Sequence, residues 1–240
     1  RHGMAMNAVS DIAAAPLRTI VHGPPITVLP NGIDAAAWTV PTRPRPDDEV
    51  VRMVSAMRLA PRKRPLPLVE MAVKVRRAAP GKDVRLEILG EGPERPAVER
   101  LIARHQAATW ITLPGRVTRE ELKARYAAAD IYVSPTILES FGIAALEART
   151  VGLPIVGRAG SGVAEFVADD VNGYLAESDD DMVRCLTSLV IHPGVRVRMR
   201  QHNQSVAPAQ DWPTVVKLAE SEYHRAINSR PLWAATPDLR

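Results

Sequence analysis

The sequence predicts an α/β fold with a doubly wound parallel sheet. Short apolar segments alternate with helical patterns along the 240 residues, and the connections between them are short. Strand–helix–strand units joined in this way are right-handed and build parallel sheets. A hydrophobic content of 46% with only 4% aromatic residues indicates a core of Ala, Val, Leu and Ile, which suits helices packed on such a sheet.

The individual elements follow from the apolar periodicity. Strands are expected at Ile26–Leu29, Val51–Ala56, Val84–Leu89, Trp110–Leu113, Ile131–Ser134 and Pro154–Val156. Helices are expected at Leu66–Ala79, Glu94–Gln106, Arg119–Ala129, Ile143–Thr150, Val163–Ala168, Asp179–Ile191, Val195–Asn203 and Thr214–Asn228. We interpret Pro41–Glu49 as an exposed connection and Asn172-Gly173-Tyr174 as a turn.

Composition and simple motifs disfavour several classes of protein. The six histidines are scattered and none pairs with Cys, Asp or Glu at ligand spacing, so no metal site is expected. The P-loop pattern is absent, and the basic residues lack the interleaved aromatics that nucleic-acid binding would use. The single cysteine, Cys185, excludes an intramolecular disulfide and is compatible with a reducing compartment.

The net charge is mildly basic and the chain has no long apolar segment. A formal charge of +4 fits an anionic ligand or a membrane surface, but arginine-rich proteins are often basic without such a partner. No stretch reaches the roughly 18 apolar residues of a membrane helix. We expect a cytoplasmic protein, and a peripheral membrane contact through basic residues stays open.

The most informative segment runs from Glu139 to Glu147, just after the strand that ends at Ser134. Gly142 lets the backbone approach a ligand closely where the next helix opens, and the helix N-terminus attracts anions. Two carboxylates beside that opening can accept hydrogen bonds from hydroxyl groups. A sugar joined to a nucleoside diphosphate would satisfy the arrangement. The pattern is equally compatible with two ordinary surface acids at a helix start.

Two other strand-end loops carry candidate residues. Arg58 and Lys63 follow the strand Val51–Ala56, and together they offer a bidentate fork and a point charge to a phosphate. A solvated basic loop is the plainer alternative. Gly90 and Gly92 follow another strand and permit either close backbone approach or a tight turn.

The ordered set of motifs resembles the C-terminal, nucleotide-sugar-binding domain of retaining GT-B glycosyltransferases of glycosyltransferase family 4. The resemblance covers Ile26 to Tyr223, and only the complete series is specific. Its segments are Val28-Leu29-Pro30-Asn31-Gly32-Ile33-Asp34, Arg58-Leu59 with Lys63, Gly90-Glu91-Gly92-Pro93, Leu113-Pro114-Gly115-Arg116-Val117, Ala129-Asp130-Ile131-Tyr132-Val133-Ser134-Pro135, Glu139 to Glu147, and Gly152-Leu153-Pro154-Ile155-Val156.

The resemblance implies a Rossmann-like domain that forms one half of a GT-B fold. The substrate would be a UDP- or GDP-linked sugar, transferred with retention to an unknown saccharide, lipid or small molecule, without a metal or other cofactor. Arg58 and Lys63 would bind the diphosphate and stabilise the charge that develops on it, and Glu139 would contact donor-sugar hydroxyls. Gly90 and Gly92 would belong to the donor-binding set.

Further donor contacts are implied along the same segments. The amides of Phe141, Gly142 and Ile143 would meet the sugar and phosphate, and Glu147 would accept hydrogen bonds from the ribose. The backbone of Val117 would pair with the base edge.

Two departures from the family pattern affect the phosphate loop, and the residue after Val117 bears on which base is bound. Met57 and Arg64 stand where the family usually has glycine, and Arg64 is expected to reshape the phosphate loop. The residue that follows Val117, Thr118, offers no carboxylate to guanine, which favours uridine, although Glu120 is near.

The resemblance also predicts the domain organisation. Residues 1–25 would be the end of an absent N-terminal domain and a linker, 26–206 the donor-binding domain, and 207–240 a helix crossing back to the missing domain plus a tail. The missing domain would supply the acceptor site, so we expect the chain to be inactive alone. The exposed apolar face of the crossing helix would favour a homodimer.

Two other functions are compatible with the same fold. One is a non-catalytic module that binds a nucleotide sugar, and the other is a GT-B nucleotide-sugar epimerase. The Glu139–Glu147 segment and the Arg58–Lys63 pair speak against the epimerase.

Overall fold

The structure, a computed structural model, describes residues 6–22, 25–40 and 50–228. The predicted connection Pro41–Glu49 and the predicted tail after Ser229 lie outside these residues. Within them, no helix is long and apolar enough to cross a membrane.

The first part of the described chain forms a small βαβ unit. Strand β1 (Asn7–Ala8) pairs in parallel with β2 (Thr27–Val28), and helix α1 (Asp11–Ile20) connects them. The Ser10 side chain caps α1 by accepting a hydrogen bond from the amide of Ala13. The strand predicted at Ile26–Leu29 is therefore present, but it pairs with β1 and lies outside the main sheet. Helix α1 was not predicted from the sequence.

The rest of the described chain alternates strands and helices as the sequence predicts. The strands are β3 (Val50–Ala56), β4 (Asp83–Leu89), β5 (Ile111–Gly115), β6 (Ile131–Ser134), β7 (Ile155–Arg158) and β8 (Gly173–Ala176). The helices are α2 (Ala35–Trp38), α3 (Pro65–Ala78), α4 (Arg95–Arg104), α5 (Arg119–Ala128), α6 (Ile143–Val151), α7 (Asp179–Ile191), α8 (Pro193–Ser205) and α9 (Trp212–Asn228).

Strands β3 to β8 form one parallel sheet in the spatial order β5-β4-β3-β6-β7-β8. The order reverses between the central strands β3 and β6, where Met53 lies opposite Ile131 and Val54 opposite Tyr132. The loops that leave these two strands diverge to opposite sides of the sheet, which opens a crevice at their carboxyl ends. The predicted doubly wound, Rossmann-like α/β fold is confirmed.

Helices cover both faces of the sheet. Alternation along β3 sends Val51 and Met53 to one face and Val54 to the other. Helices α3, α4 and α7 pack on the first face, and α2, α5 and α6 pack on the second. Trp38 of α2 and Leu146 of α6 are fully buried there, so the helix that opens at Gly142 is fixed to the core.

Two local predictions differ from the structure. The predicted turn at Asn172-Gly173-Tyr174 ends at Asn172, and Gly173 begins strand β8, because it lies against the carbonyl oxygen of Ile155 and pairs with β7. The helix predicted at Val163–Ala168 is a single 3₁₀ turn, Gly162–Glu165. It stops there because the Asn172 side chain bonds the amide of Ala168 and the carbonyl of Phe166.

The last helix returns to the first part of the chain. The α9 residue Trp212 lies against Gly32 and donates its amide to the carbonyl of Ile33 at 3.0 Å. Tyr223 and Ile227 of α9 are exposed. The homodimer expected from such a surface stays a prediction.

Gly162 and Gly160 give a matched test of how the 3₁₀ turn supports the β6–α6 loop. A Cβ atom at Gly162 would overlap the carbonyl oxygen of Ser140, whereas a Cβ atom at Gly160 would meet nothing within 4 Å. We expect Gly162→Ala to lower the free energy of unfolding by about 2 kcal/mol, and Gly160→Ala to change it by less than about 0.5 kcal/mol. Urea denaturation measures both, and equal values would show that the contact is not tight.

Candidate active site

A cavity of about 310 Å³ lies at the carboxyl ends of β3 and β6. The β6–α6 loop and the first turn of α6 form one wall, and the β3–α3 loop forms another. Val9 and Asn31 line the cavity from the first part of the chain. The predicted site residues that line it are Lys63, Glu139, Phe141, Gly142 and Ile143.

The floor of the cavity is buried and hydrogen-bonded. The Ser55 hydroxyl donates to the carbonyl of Val133 at 2.6 Å, which ties β3 to β6. The Tyr132 hydroxyl donates to the carbonyl of Ala56, and burial raises the pKa of Tyr132 well above its ordinary value. These strand ends therefore hold a fixed, neutral surface beneath the loops.

The start of α6 has the geometry of an anion site. Gly142 has φ 92°, in the left-handed region, and a Cβ atom there would lie 2.9 Å from Val163, so glycine is required. In the described chain, no side chain caps α6. In this first turn the amide of Ala145 bonds the carbonyl of Gly142 at 3.0 Å, which leaves the amides of Gly142 and Ile143 for a ligand. Their contact with a ligand stays a prediction.

An ion pair spans the two loops of the cavity. The Lys63 ammonium donates to the Glu139 carboxylate, and the two side chains are 21% and 18% exposed. Lys63 sits in a 3₁₀ turn, Pro61–Lys63, and the backbone carbonyl of Glu139 accepts a hydrogen bond from Gly162 at 2.7 Å. The pair places one cation and one anion in the same pocket, where phosphate and hydroxyl groups would compete for them.

Arg58 lies on the same loop as Lys63 but outside the cavity lining. Its side chain is exposed, and within the described ranges no carboxylate or carbonyl pairs with its guanidinium. The structure therefore brings Lys63 to Glu139 and leaves Arg58 at the rim. Its contact with a ligand stays a prediction.

Gly90 and Gly92 support the basic loop from behind. A Cβ atom at Gly90 would overlap the carbonyl of Met57, and one at Gly92 would overlap the carbonyl of Leu59. Leu59 also donates its amide to the carbonyl of Glu91 at 2.9 Å. The group that approaches these glycines closely is therefore the backbone of the basic loop, and the glycines hold that loop in place. A direct contact with a ligand stays a prediction.

Glu147 lies on α6, two residues beyond Ala145, the last residue of α6 that lines the cavity. Burial raises its pKa to about 7, and Arg119 partly opposes the rise. Within the ranges that the structure describes, no group donates a hydrogen bond to this carboxylate. Val117 packs, partly buried, against the core cluster that contains Leu146. A half-buried acceptor without a donor is what ribose hydroxyl groups could satisfy.

Some residues of the cavity were not predicted from the sequence. Asn31 and Thr136 line it, together with Met57. Asn31 belongs to the segment Pro30-Asn31-Gly32, which carries part of the family resemblance but was not predicted to lie at the site. In the described parts of the chain, no three His, Cys, Asp or Glu side chains group as a metal site would require.

Comparison with known proteins defines the class. The family model for glycosyl transferases group 1 matches residues 39–206, and the chain belongs to this family. The D-inositol 3-phosphate glycosyltransferase of Pseudarthrobacter chlorophenolicus is 30% identical over 213 residues, which are 85% of this chain and 51% of the relative. A phosphatidylinositol N-acetylglucosaminyltransferase subunit from Arabidopsis thaliana is 31% identical over 204 residues, which are 84% of this chain and 44% of the relative.

Solved structures share the fold. The Anabaena protein HepE, crystallised with UDP and glucose, superposes with a TM-score of 0.77 at 19% identity, covering 92% of this chain and 63% of that one. TarM of S. aureus, in complex with UDP and other ligands, gives 0.76 at 17% identity, covering 94% and 44%. The resemblance to a GT-B-type glycosyltransferase domain is confirmed. The chain spans about half the length of the curated relatives it matches.

The raised pKa of Glu147 predicts that the stability of the protein depends on pH. Its folded pKa of about 7 lies above the ordinary value of 4.5, so the folded state holds this proton more tightly than the unfolded state. The stability of the wild type should therefore fall as pH rises from about 4.5 to 7 and level off above that range.

Glu147→Gln removes this titration and is the control. The free energy of unfolding of the variant minus that of the wild type, measured by urea denaturation at pH 5, 6, 7 and 8, should grow from pH 5 to about 7 and then level off. A constant difference across the series would mean that the folded protein does not raise the pKa of Glu147.

Proposed function

We propose that this chain is the donor-binding half of a retaining glycosyltransferase of family 4 that uses a UDP- or GDP-linked sugar. The observation that carries the proposal is the Lys63–Glu139 pair, set beside the uncapped start of α6 in the switch-point cavity. A cation, free amides and a carboxylate within one pocket match a ligand that has both phosphate and hydroxyl groups.

The diphosphate would lie between the start of α6 and the β3–α3 loop. Transfer breaks the bond between the anomeric carbon and the diphosphate oxygen, and negative charge develops on the departing nucleoside diphosphate. Lys63 and the amides of Gly142 and Ile143 would stabilise that charge, with Arg58 reaching in from the rim. Their positions on rigid elements would keep the reorganisation small during the reaction.

The two glutamates would bind different hydroxyl groups. Glu139, released from Lys63 by the phosphate, would accept hydrogen bonds from the donor sugar. Glu147 would accept them from the ribose, and the bond would offset the cost of its burial. The backbone of Val117, which lies just before α5, would face the base.

Uridine is the favoured base. Thr118 follows Val117 and provides no carboxylate for guanine, and its hydroxyl already accepts the amide of Glu121 in the capping box of α5. UDP is present in the HepE and TarM complexes. Both observations support UDP over GDP.

The acceptor would be bound elsewhere in a longer protein. The matched relatives are about twice the length that aligns with this chain, which supports a second domain with the acceptor site. We propose a saccharide, lipid or small molecule as acceptor, and a cytoplasmic enzyme with peripheral contact to a membrane. The isolated chain would bind the donor without transferring the sugar.

Calorimetric titration with UDP, GDP and ADP tests the donor site. We expect one diphosphate, UDP, to bind with a Kd between about 1 μM and 1 mM, while GDP and ADP bind more weakly. Preferential binding of GDP would show that the base is guanine and not uracil. Binding of none of the three would contradict a donor site formed by this chain.

Arg58→Ala tests the phosphate role of the rim cation. Because a lost charge-assisted hydrogen bond costs about 1.5–3 kcal/mol, UDP should bind that much more weakly while uridine is almost unaffected. Arg62→Ala is the matched control, since Arg62 is an exposed arginine on the same loop. Equal losses for UDP and uridine would exclude a phosphate contact.

A further inference from the structure

Arg64 occupies a backbone position that disfavours side chains. It follows Lys63 directly, ends the 3₁₀ turn and starts α3, with φ 60° and ψ 46° in the left-handed region. A residue with a Cβ atom is uncommon there, and glycine adopts it without strain. Since the loop carries the cavity's cation, a strained residue next to Lys63 calls for a compensating contact.

The Arg64 side chain supplies that contact across the sheet. Its two terminal nitrogens donate to the two carboxylate oxygens of Asp179 at 2.8 and 2.7 Å, a bidentate pair. One of them also donates to the carbonyl of Pro135 at 3.2 Å, at the start of the loop that carries Glu139. The guanidinium therefore joins the β3–α3 loop to the β6–α6 loop and to α7.

Asp179 is well placed to hold the arginine. It lies in the first turn of α7, where the helix dipole favours an anion, and Arg158 at the end of β7 approaches it at 3.3 Å. The hydrogen bond from Arg64 lowers the pKa of Asp179, with Arg158 and Lys74 acting in the same direction. The carboxylate is thus ionised at neutral pH.

We propose that Arg64 and Asp179 are positioning residues that hold the loop of Lys63 beside the cavity in which the diphosphate would lie, an inference that rests on the proposed function. Arg64 fixes the backbone of Lys63 on one side, and its bond to Pro135 fixes the opposite loop. The pair does not touch the donor. Where a glycine would leave the backbone free, Arg64 connects the β3–α3 loop to the β6–α6 loop and to α7.

Hydrogen exchange tests the tie without any ligand. The amides of Lys63 and Arg64 bond the carbonyls of Ala60 and Pro61 within the 3₁₀ turn. In Asp179→Asn they should exchange about tenfold faster, because the turn is then held on one side only. The matched control is Asp180→Asn, which removes the next carboxylate of α7, exposed and paired with Lys74. Exchange in Asp179→Asn that equals the wild-type rate would overturn the inference.

Arg64→Gly separates positioning from general stability. Glycine fits the left-handed backbone, so this variant should fold while its Lys63 amide also exchanges faster, and a wild-type rate in it would overturn the inference. In both Asp179→Asn and Arg64→Gly, UDP should bind about tenfold more weakly and uridine as before. Equal weakening of uridine would show a merely structural role.

The double variant shows whether the two residues act together. Adding Asp179→Asn to Arg64→Gly should cause no further loss of UDP affinity, because Asp179 acts through Arg64. A further loss of the same size would mean that Asp179 acts independently, against the proposal. If the wild type binds none of the diphosphates, the proposed function fails, and the exchange rates still decide whether the pair holds the loop.

Discussion

The Lys63–Glu139 ion pair depends on strand order more than on either residue alone. Strands β3 and β6 are neighbours in the sheet although many residues separate them, and their loops leave in opposite directions. Only at this reversal can a cation from one loop meet a carboxylate from the other above a common floor. The other features of the site either hold these loops in place or add binding groups around the pair.

Close backbone contacts fix the two loops that carry Lys63 and Glu139. Gly90 and Gly92 admit the carbonyls of the basic loop, and Gly162 admits the peptide of the acidic loop. Each contact leaves no room for a side chain, so both charges are placed by packed backbone. Glu147 adds a second acceptor, whose raised pKa marks the cost of a buried carboxylate without a donor. The site is thus arranged before a ligand arrives.

Patterns along the chain predicted the fold class and placed Lys63 and Glu139 in loops at strand ends, because alternation and strand-end position are local properties. They failed where distant residues decide. Gly173 looks like a turn until the carbonyl of Ile155 is placed beside it, and Asn172 ends a helix from outside that helix. The Arg64–Asp179 bond joins residues 115 positions apart, and the pKa of Glu147 depends on tertiary burial. No local pattern carries such information.

The most direct test is a crystal structure of this chain with UDP. The account predicts that the β-phosphate lies at the start of α6, that the Lys63 ammonium has turned from Glu139 to a phosphate oxygen, and that the ribose hydroxyls donate to Glu147. A structure in which UDP binds away from this cavity, with the Lys63–Glu139 pair intact, would contradict the account.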